Sequence, residues 1–427
     1  MKAKVEKLLE RRARLLGAQA PLFYEEPVHI VRGEGVWLYD AGGRRYLDCY
    51  NNVPHVGHCH PAVVEAMHRQ ASTLNVHTRY LHETILEYSE RLTATFDPSL
   101  SMAIYTCTGS EANDVALRMA RLCTEGTGII CTNNTYHGNT AAVDELSTLF
   151  MSGEATSPNI RAIPFPDSYR PLRGLAGPAL ADAYVAEVKK AIASFREAGV
   201  AFAGMLICPI FANEGLPTVP PGFLPEAVRV VREAGGLVIA DEVQAGFGRT
   251  GQMWGHELAG FVPDIVTLGK PMGNGFPVAG VVARAELVNR FRDAVEYFNT
   301  FGGNPVACAT AMAVLDVMEK EQLMDNARET GDYIRAGFAK LAQKYDLIGD
   351  IRGHGLWVGV ELVEDRAGKR PAAAQAKRII NLMKERGVLM GRIGQFDNVL
   401  KMRPPMPFNR DNAELLLSTM DEVLAAV

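Results

Sequence analysis

Gly236-Leu-Val-Ile-Ala-Asp241-Glu242-Val243-Gln244 is an apolar run that delivers two acids at its C-terminal end, and its reading decides that of the whole 427-residue chain. A short continuous apolar run of this kind suits a strand covered on both faces, as in parallel sheets. Ligands of such sheets bind at the carboxyl ends of the strands, which makes Asp241 a candidate site residue. The plain alternative is an acid that caps the next turn. The same pattern recurs on either side. Residues 104–107, 128–132, 205–208 and 265–268 read as further strands, and 110–122, 182–198 and 224–234 as helices. This alternation predicts an α/β fold with a mostly parallel central sheet and helices on both faces.

Outside this region the pattern changes. Residues 28–47 read as short strands turned by Gly33, Gly35, Gly42 and Gly43. From Pro305 two long helices run to about residue 344, followed by strands at 347–351, 356–362 and 399–402. The expected organisation is an N-terminal arm with short strands over 1–60, belonging to a small domain; a large domain over 61–310; and a C-terminal small α/β domain over 311–427. Residues 164–177, rich in Pro and Gly, read as a long surface connection.

Composition narrows the functional classes. With 48% hydrophobic residues the chain is globular, and 44 basic against 49 acidic residues, net −5, without a long like-charge block, argues against a nucleic-acid surface. Seven cysteines, odd in number and without a C-x-x-C pair, read as reduced thiols of a cytoplasmic protein. No stretch approaches the roughly 18 to 20 apolar residues of a membrane span. Arg11, Arg12 and Arg14 near the start are interrupted by Glu6 and Glu10, which suits an amphipathic helix better than a transit peptide. Glycine, at 40 residues, is above its usual share of roughly 7% and marks many tight turns or close approaches.

Several segments carry chemistry. Gly246-Phe-Gly248-Arg-Thr-Gly251 matches the dinucleotide pattern in letters only, because no clear helix opens at Gly251 and two acids end the strand before it. Lys270 follows the 265–268 strand and precedes Pro271-Met-Gly273-Asn-Gly275, a place suited to an amine nucleophile. It is not a Walker lysine, since Pro271 stands where Ser or Thr is required. Thr106-Cys-Thr108-Gly109-Ser110-Glu111-Ala-Asn113 leads a strand into a helix whose free N–H groups would suit an anion, the plain alternative being N-capping by Ser110. Tyr136-His137-Gly138 offers an aromatic to stack on a flat ring or simply to pack. A lysine, a strand-end acid, a helix N-terminus and an aromatic together describe a pyridoxal 5′-phosphate site.

Asp241-Glu-Val-Gln244, Gly246-Phe-Gly-Arg-Thr-Gly251, Lys270-Pro-Met-Gly-Asn-Gly and Asn299-Thr300-Phe-Gly-Gly-Asn304-Pro305 resemble, in this order, the signature of the class III aminotransferases. The resemblance runs from about Tyr24 to the C-terminus. It implies a fold-type I homodimer with active sites at the interface and pyridoxal 5′-phosphate as cofactor. Lys270 would hold the cofactor through its amine and move the substrate proton, and Asp241 would hold the proton of the ring nitrogen. Gly109 and Ser110 would bind the cofactor phosphate, Tyr136 and Val243 would cover the ring faces, and Gln244 would approach the phenolic oxygen. Thr300 would reach the phosphate from the partner subunit.

Asn51-Asn-Val-Pro-His55-Val-Gly-His58-Cys59-His60 and Thr78-Arg79-Tyr80-Leu-His82-Glu83 look most like the branch with the ethanolamine-phosphate and phosphohydroxylysine phospho-lyases. The crowded histidines read as a loop at the substrate entrance and not as a metal site. Tyr24, His55, Arg79, Lys401 and Arg403 are the candidate substrate residues, the cations suiting a carboxylate or phosphate. One departure stands out: where many members have a Glu-Pro-Val-Gln-like stretch, this chain has Cys208-Pro-Ile-Phe211. The expected activity is transamination from an amine donor to a keto acid such as pyruvate. The alternative is a phospho-lyase that releases phosphate and ammonia from a phosphorylated amino alcohol such as phosphoethanolamine. A non-catalytic relative is disfavoured by intact Lys270 and Asp241.

Overall fold

The computed structural model describes residues 2–150 and 157–427. Its central sheet has seven strands in the order Leu100–Thr106, Ala279–Arg284, Ile265–Leu268, Leu237–Asp241, Phe202–Ile207, Gly128–Thr132, Ile160–Ile163. Only Ala279–Arg284 runs against the others. Alternate side chains on each strand enter opposite apolar layers, as the pleat requires. Ile129, Cys131, Leu206 and Ile239 pack beneath the helices Gly109–Thr124 and Ala285–Ala294. Ile130, Met205, Val238 and Ala240 pack beneath Gly177–Glu197 and Phe223–Glu233. Burial on both faces is why these strands are continuous apolar runs with little polar alternation.

The chain ends build two smaller sheets. Ile30–Glu34, Trp37–Asp40 and Arg45–Asp48 form a meander, to which Val388–Leu389 from the far end of the sequence adds in parallel. Ile348–His354, Trp357–Asp365, Val399–Met402 and Gly391–Ile393 form an antiparallel sheet that places Lys401 opposite Gly359. The helices Pro305–Lys320 and Leu323–Lys344 share one apolar cluster with this sheet. Among the described residues no helix is long and apolar enough to cross a membrane.

The sheet's polarity positions the site. Of the six strands that finish on the same side, five, ending at Thr106, Thr132, Ile207, Asp241 and Leu268, have following loops that carry Gly109, Tyr136, Asn213, Val243 and Lys270 to one place.

Candidate active site

Asp241 and Glu242 are neighbours with different tasks. Asp241 is buried and accepts three hydrogen bonds: from the Val243 N–H at 3.0 Å on Oδ1, and from His137 Nδ1 at 2.7 Å and Asn113 Nδ2 at 3.1 Å on Oδ2. Asn113 is itself fixed by the Thr267 hydroxyl at 2.7 Å and by donation to the His137 carbonyl. Glu242 points away and accepts from the N–H groups of Gly255 and His256 and from the His256 ring, holding the short Gly255–Leu258 turn. Thus the turn-capping role belongs to the second acid and leaves the first facing the cavity.

Lys270, Asp241, Val243, Gln244 and Tyr136 line one small cavity, together with His137, Cys208 and Asn213. Burial and nearby Arg403 push the Lys270 amine below its ordinary pKa, and Asp241 opposes that shift. The amine is thereby made more nucleophilic. The Gly109–Thr124 helix begins beside this cavity. Its N-cap is Thr108, whose hydroxyl accepts from the Glu111 N–H at 3.2 Å, so capping by Ser110 is corrected. The Ser110 hydroxyl accepts instead from Asn139 N at 3.2 Å. Side chains are excluded where these loops meet. A Cβ on Gly109 would lie 2.9 Å from the Val243 methyls, and one on Gly138, at φ +149°, would lie 2.6 Å from Ser110 Oγ.

Two further cations point into the same region. Arg403 is buried, donates to Gln244 Oε1 at 2.5 Å and lies over the Tyr50 ring at 4.5 Å, and its Nε has no hydrogen-bond partner. Lys401, two residues earlier on the same strand face, is buried and donates to the Ala212 carbonyl at 2.9 Å. Among the described residues no carboxylate forms an ion pair with Lys401 or Arg403. Burial lowers both pKa values, that of Lys401 well below its ordinary value, with Arg403 as the next cause. Glu214 does not neutralise them directly: it accepts from the Thr132 hydroxyl at 2.6 Å and from Asn213 N at 3.1 Å. Of the residues that replace the usual stretch, Cys208 lines the cavity, whereas Phe211 is wholly buried in the apolar core.

Tyr24 and His55, expected at the substrate, belong to the supporting frame. The Tyr24 hydroxyl donates to the Met390 carbonyl at 2.9 Å and accepts from its N–H at 3.1 Å, which uses its bonding capacity on backbone. His55 is wholly buried between the Phe247 carbonyl, 2.6 Å from Nε2, and Arg249, 3.3 Å from Nδ1. A carbonyl can only accept, so Nε2 carries the proton and Nδ1 accepts from Arg249. Arg249 also donates to the carbonyls of Pro404 at 2.7 Å and Leu356 at 3.3 Å, so the G-x-G-x-x-G segment is tied to the C-terminal part of the chain next to Arg403. His58 and His60 diverge from His55, to Asp48 and Glu321, and no group of three or more His, Cys, Asp or Glu among the described residues is placed to hold a metal ion. Arg79 is exposed, lying 3.9 Å over the Phe298 ring, and Thr300 is exposed on a neighbouring turn whose Asn299 donates to Glu111 at 3.3 Å.

The buried His55 sets a pH dependence. Burial first, and then Arg249, hold its pKa well below the ordinary 6.5. The unfolded chain therefore binds a proton that the folded chain refuses, and stability falls as pH drops through about 6.5. His55→Gln keeps a donor for Phe247 and an acceptor for Arg249. Urea titrations between pH 5 and 7 are expected to show a shallower acid slope in this variant, by up to about 1.4 kcal/mol per pH unit. An unchanged slope would show that His55 is not a source of the acid sensitivity.

Sequence patterns did not single out Asn113, His137, Asn213 or Thr267 as functional. Asn213 bridges Gln244 Nε2, at 3.2 Å, to the Tyr136 carbonyl, at 3.1 Å. The one available signal for Asn113 is an amide within the apolar part of its helix, where Ala112, Val115, Ala116 and Leu117 are also buried. As a set, a half-buried amine, a three-fold hydrogen-bonded carboxylate, an aromatic ring, an amide and a helix N-terminus fit pyridoxal phosphate, with Arg403 Nε left over for another acceptor.

The sequence model of the family described as Aminotransferase class-III matches residues 22–424. A Drosophila melanogaster protein named "Alanine--glyoxylate aminotransferase 2-like" is 40% identical over 422 residues, 96% of this chain and 85% of that protein. A Caenorhabditis elegans protein named "Ethanolamine-phosphate phospho-lyase homolog 1" is 38% identical over 439 residues, 98% and 93% of the two chains. Among solved structures, a phospholyase from Arthrobacter in complex with phosphoethanolamine superposes with a TM-score of 0.95 at 45% identity, over 98% of this chain and 100% of that one.

Proposed function

Because this chain belongs to the class-III aminotransferase family, we propose that it is a pyridoxal-phosphate-dependent phospho-lyase for a small phosphorylated amine such as phosphoethanolamine. The observation that carries the reading is the pair Lys401 and Arg403, buried on one strand face beside Lys270 with no carboxylate partner among the described residues. Buried cations without a directly paired carboxylate are costly unless an anion joins them, and a substrate phosphate supplies two charges. The likeness to the Arthrobacter phospholyase supports the same order of preference, which reverses the expectation from sequence. Loss of the usual Glu, replaced by Cys208, removes an acid that would compete for the cations.

Bound at this site, the cofactor would supply an electron-accepting ring conjugated to the substrate nitrogen. Asp241 would hold the ring-nitrogen proton, kept in place by His137, Asn113 and the Val243 N–H. Lys270 would take the proton from the carbon that bears the amine, at its Nζ. Lys401 and Arg403 would orient the phosphate on the neighbouring carbon and offset its charge as the C–O bond breaks. Phosphoethanolamine and water would give acetaldehyde, ammonia and phosphate. Gly109 and Ser110 would hold the cofactor phosphate at the helix N-terminus. We assign Thr300 and Arg79 to a homodimer interface. They flank exposed Tyr80, Leu81 and Phe301, and the 78–81 segment touches the 298–303 turn at Arg79–Phe298 and near Thr78–Gly303.

The second reading, transamination, is favoured by the name of the Drosophila relative. Incubation with phosphoethanolamine and no keto acid separates the two. Sustained release of phosphate and ammonia in equal amounts is expected, whereas turnover that requires a keto acid would establish transamination. Arg403→Gln is expected to raise KM for phosphoethanolamine about 10- to 100-fold, the value of a charged hydrogen bond to a buried anion.

A further inference from the structure

A second cleft lies behind the cation pair. It has a volume of about 560 Å³, within the usual range of ligand pockets, and opens between the 209–225 loop, the end of the Gly255–Leu258 turn and the Ile348–His354 strand. Five prolines in its wall fix backbone torsions, so the cleft is built into the fold. Its floor is apolar, with Ile210, Leu216 and Trp357, and its charged lining residues are basic: none of the described lining residues is acidic. Arg335 stands at the rim beside His354, whose ring has no hydrogen bond among the described residues. Arg335 donates to the Gly355 carbonyl at 3.1 Å and to Asp332 on its exposed side.

Trp357 is the shared wall. It is 1% exposed, its indole N–H is buried without a hydrogen-bond partner, and it lines this cleft. On the side of the active site, Lys401 Nζ lies 5.1 Å and Arg403 Cζ 5.8 Å from its ring centroid. A ligand in the cleft would pack against this indole, and a shift of the ring would be felt by both cations that face Lys270.

We propose that this cleft is a ligand site for a small amphipathic carboxylate, its apolar body on Ile210, Leu216 and Trp357 and its charge at the Arg335–His354 rim, and that occupancy acts through Trp357 on Lys401 and Arg403. The binding part is independent of the phospho-lyase reading; the kinetic part rests on it, and the two are measured separately.

Octanoate is the probe, with octan-1-ol as uncharged control, titrated into the cofactor-loaded enzyme by calorimetry. Saturable binding at one octanoate per chain is expected, and octan-1-ol is expected to bind more weakly. Arg335→Glu should weaken octanoate about tenfold and leave octan-1-ol unchanged. Ala259→Trp, which fills the cleft from its rim, should abolish binding of both. Unchanged cofactor absorbance and melting temperature in both variants show that the fold is retained. Saturating octanoate should raise KM for phosphoethanolamine about threefold at constant kcat, and this effect should vanish in Ala259→Trp. Non-saturable binding, or equal octanoate affinity in Arg335→Glu, would overturn the site. A KM effect that survives Ala259→Trp would place octanoate at Arg403 itself and overturn the coupling. If phosphoethanolamine is not turned over, calorimetry still decides the binding claim.

Discussion

Lys270→Ala is expected to leave a folded chain whose turnover is lower by at least about 10⁴-fold, because in the proposed reaction one amine would serve both as covalent anchor and as proton carrier. No hydrogen bond holds the Lys270 side chain among the described residues, and burial near Arg403 disfavours its charged form. The folded state binds this proton less tightly than the unfolded chain, so removing the group relieves a cost of folding. The melting temperature should therefore be equal or higher, a usual relation between catalytic groups and stability. Measured together, a lost visible absorbance band of lysine-bound cofactor, a lost turnover and a retained melting temperature confirm the role. Residual turnover above about 1% would remove Lys270 from the chemistry.

Asp241→Asn is the second large effect. The carboxylate accepts from Val243 N on one oxygen and from His137 and Asn113 on the other. An amide must turn its NH₂ toward one of these sides, which sets donor against donor and leaves a buried N–H unsatisfied, at about 1–3 kcal/mol. The ring-nitrogen proton would also lose its negative partner in a buried site, and kcat is expected to fall about 10³-fold with weaker cofactor retention on gel filtration. A kcat within tenfold of the parent would show that the ring-nitrogen proton is not held by Asp241.

The separation between what was readable in the sequence and what was not follows range of interaction. Asp241, Lys270, Gly109 and Tyr136 stand out in the sequence because Asp241 ends a strand and the others lie two to four residues beyond one, and strand ends in a parallel sheet share one edge. That Glu242 holds the Gly255–Leu258 turn is not readable in the sequence, since its partners, the Gly255 and His256 N–H groups, lie thirteen and fourteen residues away. The partners of Tyr24 and His55 are hidden from the sequence for the same reason. Their neighbours in the chain suggest a substrate loop, but their partners are Met390 and Arg249, 366 and 194 positions distant.

Sequence by itself therefore determined the layers, the strand-end acid and lysine, and the family, because period, apolar runs and contiguous motifs are local properties of the chain. Tertiary structure alone decided that Asn113, His137 and Asn213 hold the site in register, and that Lys401 and Arg403 lie buried without acids. It alone decided, too, that Trp357 separates them from a second cleft. Those facts depend on hydrogen-bond geometry and burial between segments far apart in sequence, and no local pattern encodes them.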